Sequence, residues 1–142
     1  MNPAFYVILG ALMVCIAYLF SPVPAPRPFD LDGPRATVAY IVDGDTLDLK
    51  GVERRIRIWG IDTPERGAPG YEPAANALKD LTRGRYLTLV QMQDRPDSFG
   101  RTVARLITDD GQDIGAQMTA LGHAHEFCRY SKGYYGQCEA QR

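Results

Sequence analysis

From Thr37 to Ile107 the chain alternates short β-type runs with tight turns, and helical patterns follow the third and fifth runs. That order is the feature that most limits the fold. Thr37 to Ile41 is a β-type run, and Asp43-Gly44-Asp45 turns it, because glycine tolerates backbone angles that other residues avoid. Leu47 and Leu49 alternate with Asp48 and Lys50 as a second strand, and Gly51 turns the chain again. Arg54 to Ile61 alternates too, with Ile56, Ile58 and Gly60 on one face and Arg57, Trp59 and Ile61 on the other. The three runs form a meander. Pro73 suits the first turn of a helix whose apolar stripe is Ala74, Ala77, Leu78 and Leu81, with Gly84 as its C-terminal stop. A fourth strand covers Tyr86 to Met92, a turn-rich loop covers Asp94 to Gly100, and a fifth strand covers Thr102 to Ile107. A second helix gathers Ile114, Met118 and Leu121 and stops at Gly122, and a short last helix is expected from Tyr130. Five strands with helices after the third and fifth predict an α+β domain built on a small closed barrel of the OB type.

The N-terminus is of another character. Ala4 to Phe20 holds no charged residue, and as a helix those residues span ~25 Å, the short end of what crosses a bilayer. Residues 1–21 therefore read as a signal-anchor, favoured over a cleaved signal peptide because prolines crowd the candidate cleavage sites that follow. Residues 22–34 read as a proline-rich linker and residues 35–142 as one domain. With 16 basic and 17 acidic residues the chain lacks the basic surplus of a tight non-specific nucleic-acid binder. Acids that hold a divalent cation supply local positive charge by another route. Cys128 and Cys138 stand ten residues apart, and in an exported domain they would close a disulfide; two free thiols are the other reading.

Three clusters carry chemistry. Asp43-Gly44-Asp45-Thr46 on its own is an ordinary hairpin turn, and it fails as an EF-hand loop because Leu47 and Arg54 stand where ligands are needed. Arg57 is followed by Asp62-Thr63-Pro64-Glu65, which places two carboxylates where a strand ends. Phe99-Gly100-Arg101 opens the fifth strand. Taken together, two acids at strand ends chelate a hard cation, two arginines clamp a phosphate, and one acid is left to act on water.

In order and spacing, D-G-D-T, R-x-x-x-x-D-T-P-E and F-G-R resemble the thermonuclease (staphylococcal nuclease-like) family, from about Thr37 to Gln141. The resemblance implies a calcium-dependent nuclease that cuts DNA and RNA with little sequence preference and leaves 3′-phosphate ends. It implies Asp45, Asp62 and the Thr63 carbonyl as calcium ligands, Asp43 close to the metal, Glu65 as general base, and Arg57 and Arg101 as phosphate-binding arginines. Phe99 and Ser98 stand where the family's best-known member has an aromatic hydroxyl and a lysine; Phe99 can stack on a base but cannot donate a hydrogen bond. A further aromatic contact falls near Cys128, and the loop after Glu65 is shorter.

His123 and His125 match no strong zinc pattern and read as surface or structural histidines; Tyr130, Tyr134 and Tyr135 read as packing residues, with contact to substrate as the other reading. The expected partners are nucleic acid and, through the N-terminal segment, a membrane, with a monomeric domain outside the cytoplasm or secreted. Two rival readings are a catalytically silent OB-type module that binds nucleic acid or protein, and a membrane-tethered structural protein.

Overall fold

The computed structural model describes residues 33–138. The signal-anchor reading of residues 1–21 and nearly all of the linker lie outside the described residues, and among the described residues no helix is long and apolar enough to cross a membrane. The strands are β1 (Arg35–Ala36), β2 (Val38–Ile41), β3 (Thr46–Leu49), β4 (Ile56–Ile58), β5 (Ile61–Asp62), β6 (Leu87–Gln91), β7 (Thr102–Thr108) and β8 (His125–Glu126). The helices are α1 (Tyr71–Thr82), α2 (Ile114–Ala120) and α3 (Cys128–Ser131).

Six strands form one sheet in the order β1-β6-β7-β4-β3-β2, with the β4–β7 pair parallel and the others antiparallel. Its two edges, β1 and β2, are separated by Thr37 alone, whose carbonyl accepts from Lys50 N at 2.9 Å. The segment 35–41 therefore pairs with β6 on one side and β3 on the other, and the sheet closes on itself. Closure removes the exposed edges that an open sheet of this size would present. The result is an OB-type barrel with three helices.

Alternation explains the core. Leu47, Leu49, Ile56, Ile58, Leu87, Leu89, Ala104 and Leu106 point inward at period two, and α1 and α2 cover the barrel with Ala74, Leu78, Ile114 and Met118. Asp113 caps α2 by accepting from Ala116 N at 3.2 Å, and its other oxygen pairs with Arg105 Nε at 2.7 Å.

Three expectations need correction. Arg54 to Ile61 does not run as one alternating strand: Gly60 adopts φ +75° and breaks it, so Ile61 joins Ile56 and Ile58 in the core instead of facing away from them. That break frees β5 to pair with β8, register Asp62 against His125. Leu121, expected on the buried stripe of the second helix, is its C-terminal cap and is exposed. The last helix begins at Cys128, before Tyr130.

Candidate active site

Gly44 explains why the first acidic turn lies where it does. A Cβ there would meet Ala74 Cβ at 2.7 Å and Thr63 Cγ2 at 2.9 Å, so the turn packs directly against α1 and against the end of β5. Tyr71, the first residue of α1, donates its hydroxyl to Val42 O at 3.1 Å and ties helix to turn. Asp43 Oδ1 accepts from Asp45 N at 3.1 Å, fixing the turn from within.

The Asp45 carboxylate is buried. Its Oδ2 accepts from Thr63 N at 3.0 Å and Thr63 Oγ1 at 2.9 Å, and its Oδ1 accepts from Thr46 Oγ1 at 2.9 Å. Arg57 pairs with Asp45 Oδ2 through Nη1 at 2.7 Å and with Asp62 Oδ1 through Nη2 at 3.0 Å. Residues 45, 57, 62 and 63 thus converge on one cluster although the chain separates them. Burial pushes the Asp45 carboxyl from 3.8 up to about 6, against the pull of Arg57 and with the Asp43 charge adding to the rise.

That donor set fits a hard divalent cation. Two carboxylates meet the same guanidinium, so they already share one cationic partner, and burial penalises the charged form of Asp45. Oxygen ligands in loose geometry are what calcium takes. Among the described residues, the sulfurs of Cys128 and Cys138 also lie near the Glu126 carboxylate, but those sulfurs are joined in a disulfide with a Cα–Cα distance of 5.5 Å. The Glu126 carboxylate there accepts from Ser131 Oγ, Tyr135 N and Gln137 N at 2.6–2.9 Å. Burial alone would raise the Glu126 carboxyl; those donors outweigh it and hold it below its ordinary value. Glu126 is the buried anchor of the C-terminal loop.

Arg101 stands just before β7, the strand paired with β4, where Val103 is set against Arg57. It and Phe99 line two neighbouring cavities, one of about 640 Å³ that also takes in Asp43, and one of about 410 Å³ that takes in Arg57. The two arginines therefore look into a common space. The smaller cavity has an aromatic wall of Trp59, Phe99, Phe127 and Tyr130. Phe127 N donates to Gly60 O at 2.8 Å, which seats this ring beside the break in the strand, and its ring meets Tyr130 edge-on at 4.8 Å. Phe127 and Tyr130 flank the position near Cys128 where an aromatic contact was expected. Tyr130, read as a packing residue, is instead half exposed and lines the cleft. Tyr135 does pack: its hydroxyl donates to Trp59 O at 3.2 Å, and burial foremost raises it above the ordinary tyrosine value.

Glu65 makes no hydrogen bond or ion pair with this cluster. It is exposed on the loop after Pro64, its carbonyl accepts from Ala68 N at 2.9 Å, and among the described residues its side chain has no ion-pair partner. His125 is exposed and His123 partly so. Sequence reasoning passed over Asp97, which grips Arg101; the signal was the Asp-x-Phe-x-Arg spacing after Pro96, where a carboxylate reaches amides two and four residues on.

The six-stranded sheet closed by the 35–41 segment, with a cleft lined by clustered acids and arginines, is an OB-type domain. Residues 55–141 match the family described as staphylococcal nuclease homologue. The chain belongs to the staphylococcal nuclease family. It is 31% identical over 112 residues to a thermonuclease of Staphylococcus intermedius, covering 67% of this chain and 66% of that one. It is 27% identical over 96 residues to an uncharacterized endonuclease of Escherichia coli, covering 66% of this chain and 61% of that protein, so it spans about three fifths of that relative's length. A third relative, the endonuclease YhcR of Bacillus subtilis, is 27% identical over 115 residues, 70% of this chain but 9% of that protein.

Proposed function

We propose that this protein is a calcium-dependent nuclease that hydrolyses DNA and RNA with little sequence preference. The observation that carries the reading is the single Arg57 guanidinium bonded to both Asp45 and Asp62, beside a cleft that Arg101 also lines. Membership of a nuclease family and relatives named thermonuclease and endonuclease support it.

Asp45, Asp62 and the Thr63 carbonyl would hold calcium, with Asp43 next to them. Bound there, calcium neutralises charge on the phosphoryl oxygens. Arg57 exchanges its two carboxylates for phosphate oxygens, and Arg101, from the neighbouring strand's start, meets the same phosphate with a planar fork suited to it. Glu65 accepts the proton of the attacking water as the new P–O bond forms. The P–O5′ bond breaks, leaving a 3′-phosphate on one fragment and an O5′ that takes a proton from solvent on the other. Phe99, Phe127 and Tyr130 offer ring faces for an unstacked base, which favours single strands. The Cys128–Cys138 bond supports a domain outside the cytoplasm, tethered by residues 1–21 or secreted; the domain would work as a monomer.

The test is to incubate the purified full chain with heat-denatured DNA, and separately with RNA, in calcium or in chelator. Cleavage in calcium alone is expected, and Glu65→Gln and Arg101→Ala should each lower turnover by at least about a hundredfold with the fold intact. Near-normal cleavage in either variant would refute the role given to that residue. A shift in nucleic-acid mobility without cleavage would replace the reading with that of a binding module.

A further inference from the structure

We propose that Asp97 is the positioning residue for Arg101, holding its guanidinium in the orientation that meets the scissile phosphate. This rests on the phosphate-binding role given to Arg101 above. The carboxylate does two things at once. Oδ1 accepts from Phe99 N and Arg101 N, both at 2.9 Å, and so closes the turn that launches β7. Oδ2 accepts from Arg101 Nε at 2.8 Å and so grips the inner edge of the guanidinium. The backbone locks the same turn, with Asp97 N donating to Arg101 O at 2.9 Å and Gly100 N to Asp97 O at 3.0 Å. Gly100 sits at φ +77°, which lets four residues reverse this tightly.

The pairing is specific about what it leaves over. An arginine has five N–H donors in a fixed fork, and Nε–H takes only one of them. The two terminal nitrogens remain for a bidentate phosphate contact. The Phe99 ring covers one face of the guanidinium, with Arg101 Cζ 5.1 Å from its centroid, so the group is held at an edge and on a face. Both side chains are largely shielded, at 26% exposure for Arg101 and 17% for Asp97, and both line the smaller cavity. Burial alone would raise the Asp97 carboxyl; the Arg101 backbone and side-chain donors outweigh it and keep it charged. Phe99 gains a second part here, steering Arg101 as well as offering a ring to a base.

Asp97→Asn separates positioning from folding. The amide oxygen still accepts from the Phe99 and Arg101 amides, but the amide nitrogen now faces Nε–H, donor against donor, and the guanidinium is released. On single-stranded DNA with calcium, kcat of the purified full chain should fall between about tenfold and a hundredfold, the scale of a misplaced reacting contact, while KM and Tm stay close to wild type. In an Arg101→Ala background the same substitution should change nothing further, because its effect runs through that arginine. The Arg101 Nε–H resonance of ¹⁵N-labelled protein should be slow to exchange in wild type and fast in Asp97→Asn, a readout that does not depend on activity. Unchanged kcat, losses that multiply in the double variant, or equal Nε–H exchange would overturn the positioning role. If wild type fails to cleave at all, the nuclease reading falls by itself, and the Nε–H exchange still decides whether Asp97 fixes Arg101.

Discussion

Asp45 is held at a cost to the folded state, and pH exposes it. Burial raises its carboxyl from 3.8 to about 6 in the folded domain. The sign follows from proton counting. Between those values the folded state keeps a proton that the unfolded state has released, so metal-free stability is full below pH 4 and falls as pH rises through about 6. Two pH units at about 1.4 kcal/mol each set the loss near 3 kcal/mol, with the opposing pull of Arg57 already contained in the raised value. The side chain is 8% exposed, so solvent screening takes little from that figure. Urea unfolding of the full chain in chelator, followed by the single Trp59, should be run from pH 4 to 8 on wild type and Asp45→Asn. Wild-type stability should fall relative to the variant by about 3 kcal/mol across the window, whatever the fixed offset between them. Calcium at a hundred times its dissociation constant should return about 2.7 kcal/mol to wild type above pH 6 and nothing to Asp45→Asn. Two parallel curves in chelator would refute the argument that burial sets the state of this carboxylate.

Other outcomes follow from the same geometry. Gly44→Ala forces a methyl against Ala74 and Thr63 and should cost about 1–3 kcal/mol, read by denaturant midpoint, with calcium affinity falling as the acids shift. Cys128→Ser opens a ten-residue loop and should cost about 2–3 kcal/mol by thermal unfolding; in the wild-type protein, both thiols should resist alkylation until a reductant is added. Phe127→Ala and Tyr130→Ala remove the far wall of the cleft and should each raise KM for single-stranded DNA severalfold, with kcat moving less; an unchanged KM in both would show that the wall does not touch substrate. Glu126→Gln should destabilise the domain more than Glu65→Gln does, since Glu126 is buried under three donors and Glu65 is exposed; equal melting temperatures would contradict that contrast.

Local chemistry determined much of this protein. Alternating leucines and isoleucines mark β3 and β4 because a strand shows its faces at period two, and Pro73 with Gly84 brackets α1 because one tolerates a missing N–H and the other a left-handed turn. The acids and arginines were legible as a set, since chelating and phosphate-binding residue types recur at strand ends. What local pattern left undecided is everything that depends on who sits across from whom. The break at Gly60 goes with the pairing of β5 and β8, a contact some 65 residues away in the chain that no local pattern announces, and it sets Ile61 in the core and Phe127 at the cleft. Pairing of β3 with β4 sets Thr46 against Arg57 and so brings Asp45 to that arginine, and only side-chain packing shows that Arg57 spans both Asp45 and Asp62; the grip of Asp97 on Arg101, four residues on, lies within the reach of local spacing. Side chains within a few residues of each other are related by backbone geometry, which sequence spacing encodes; side chains across the barrel are related by burial and pairing, which are settled when the whole sheet forms.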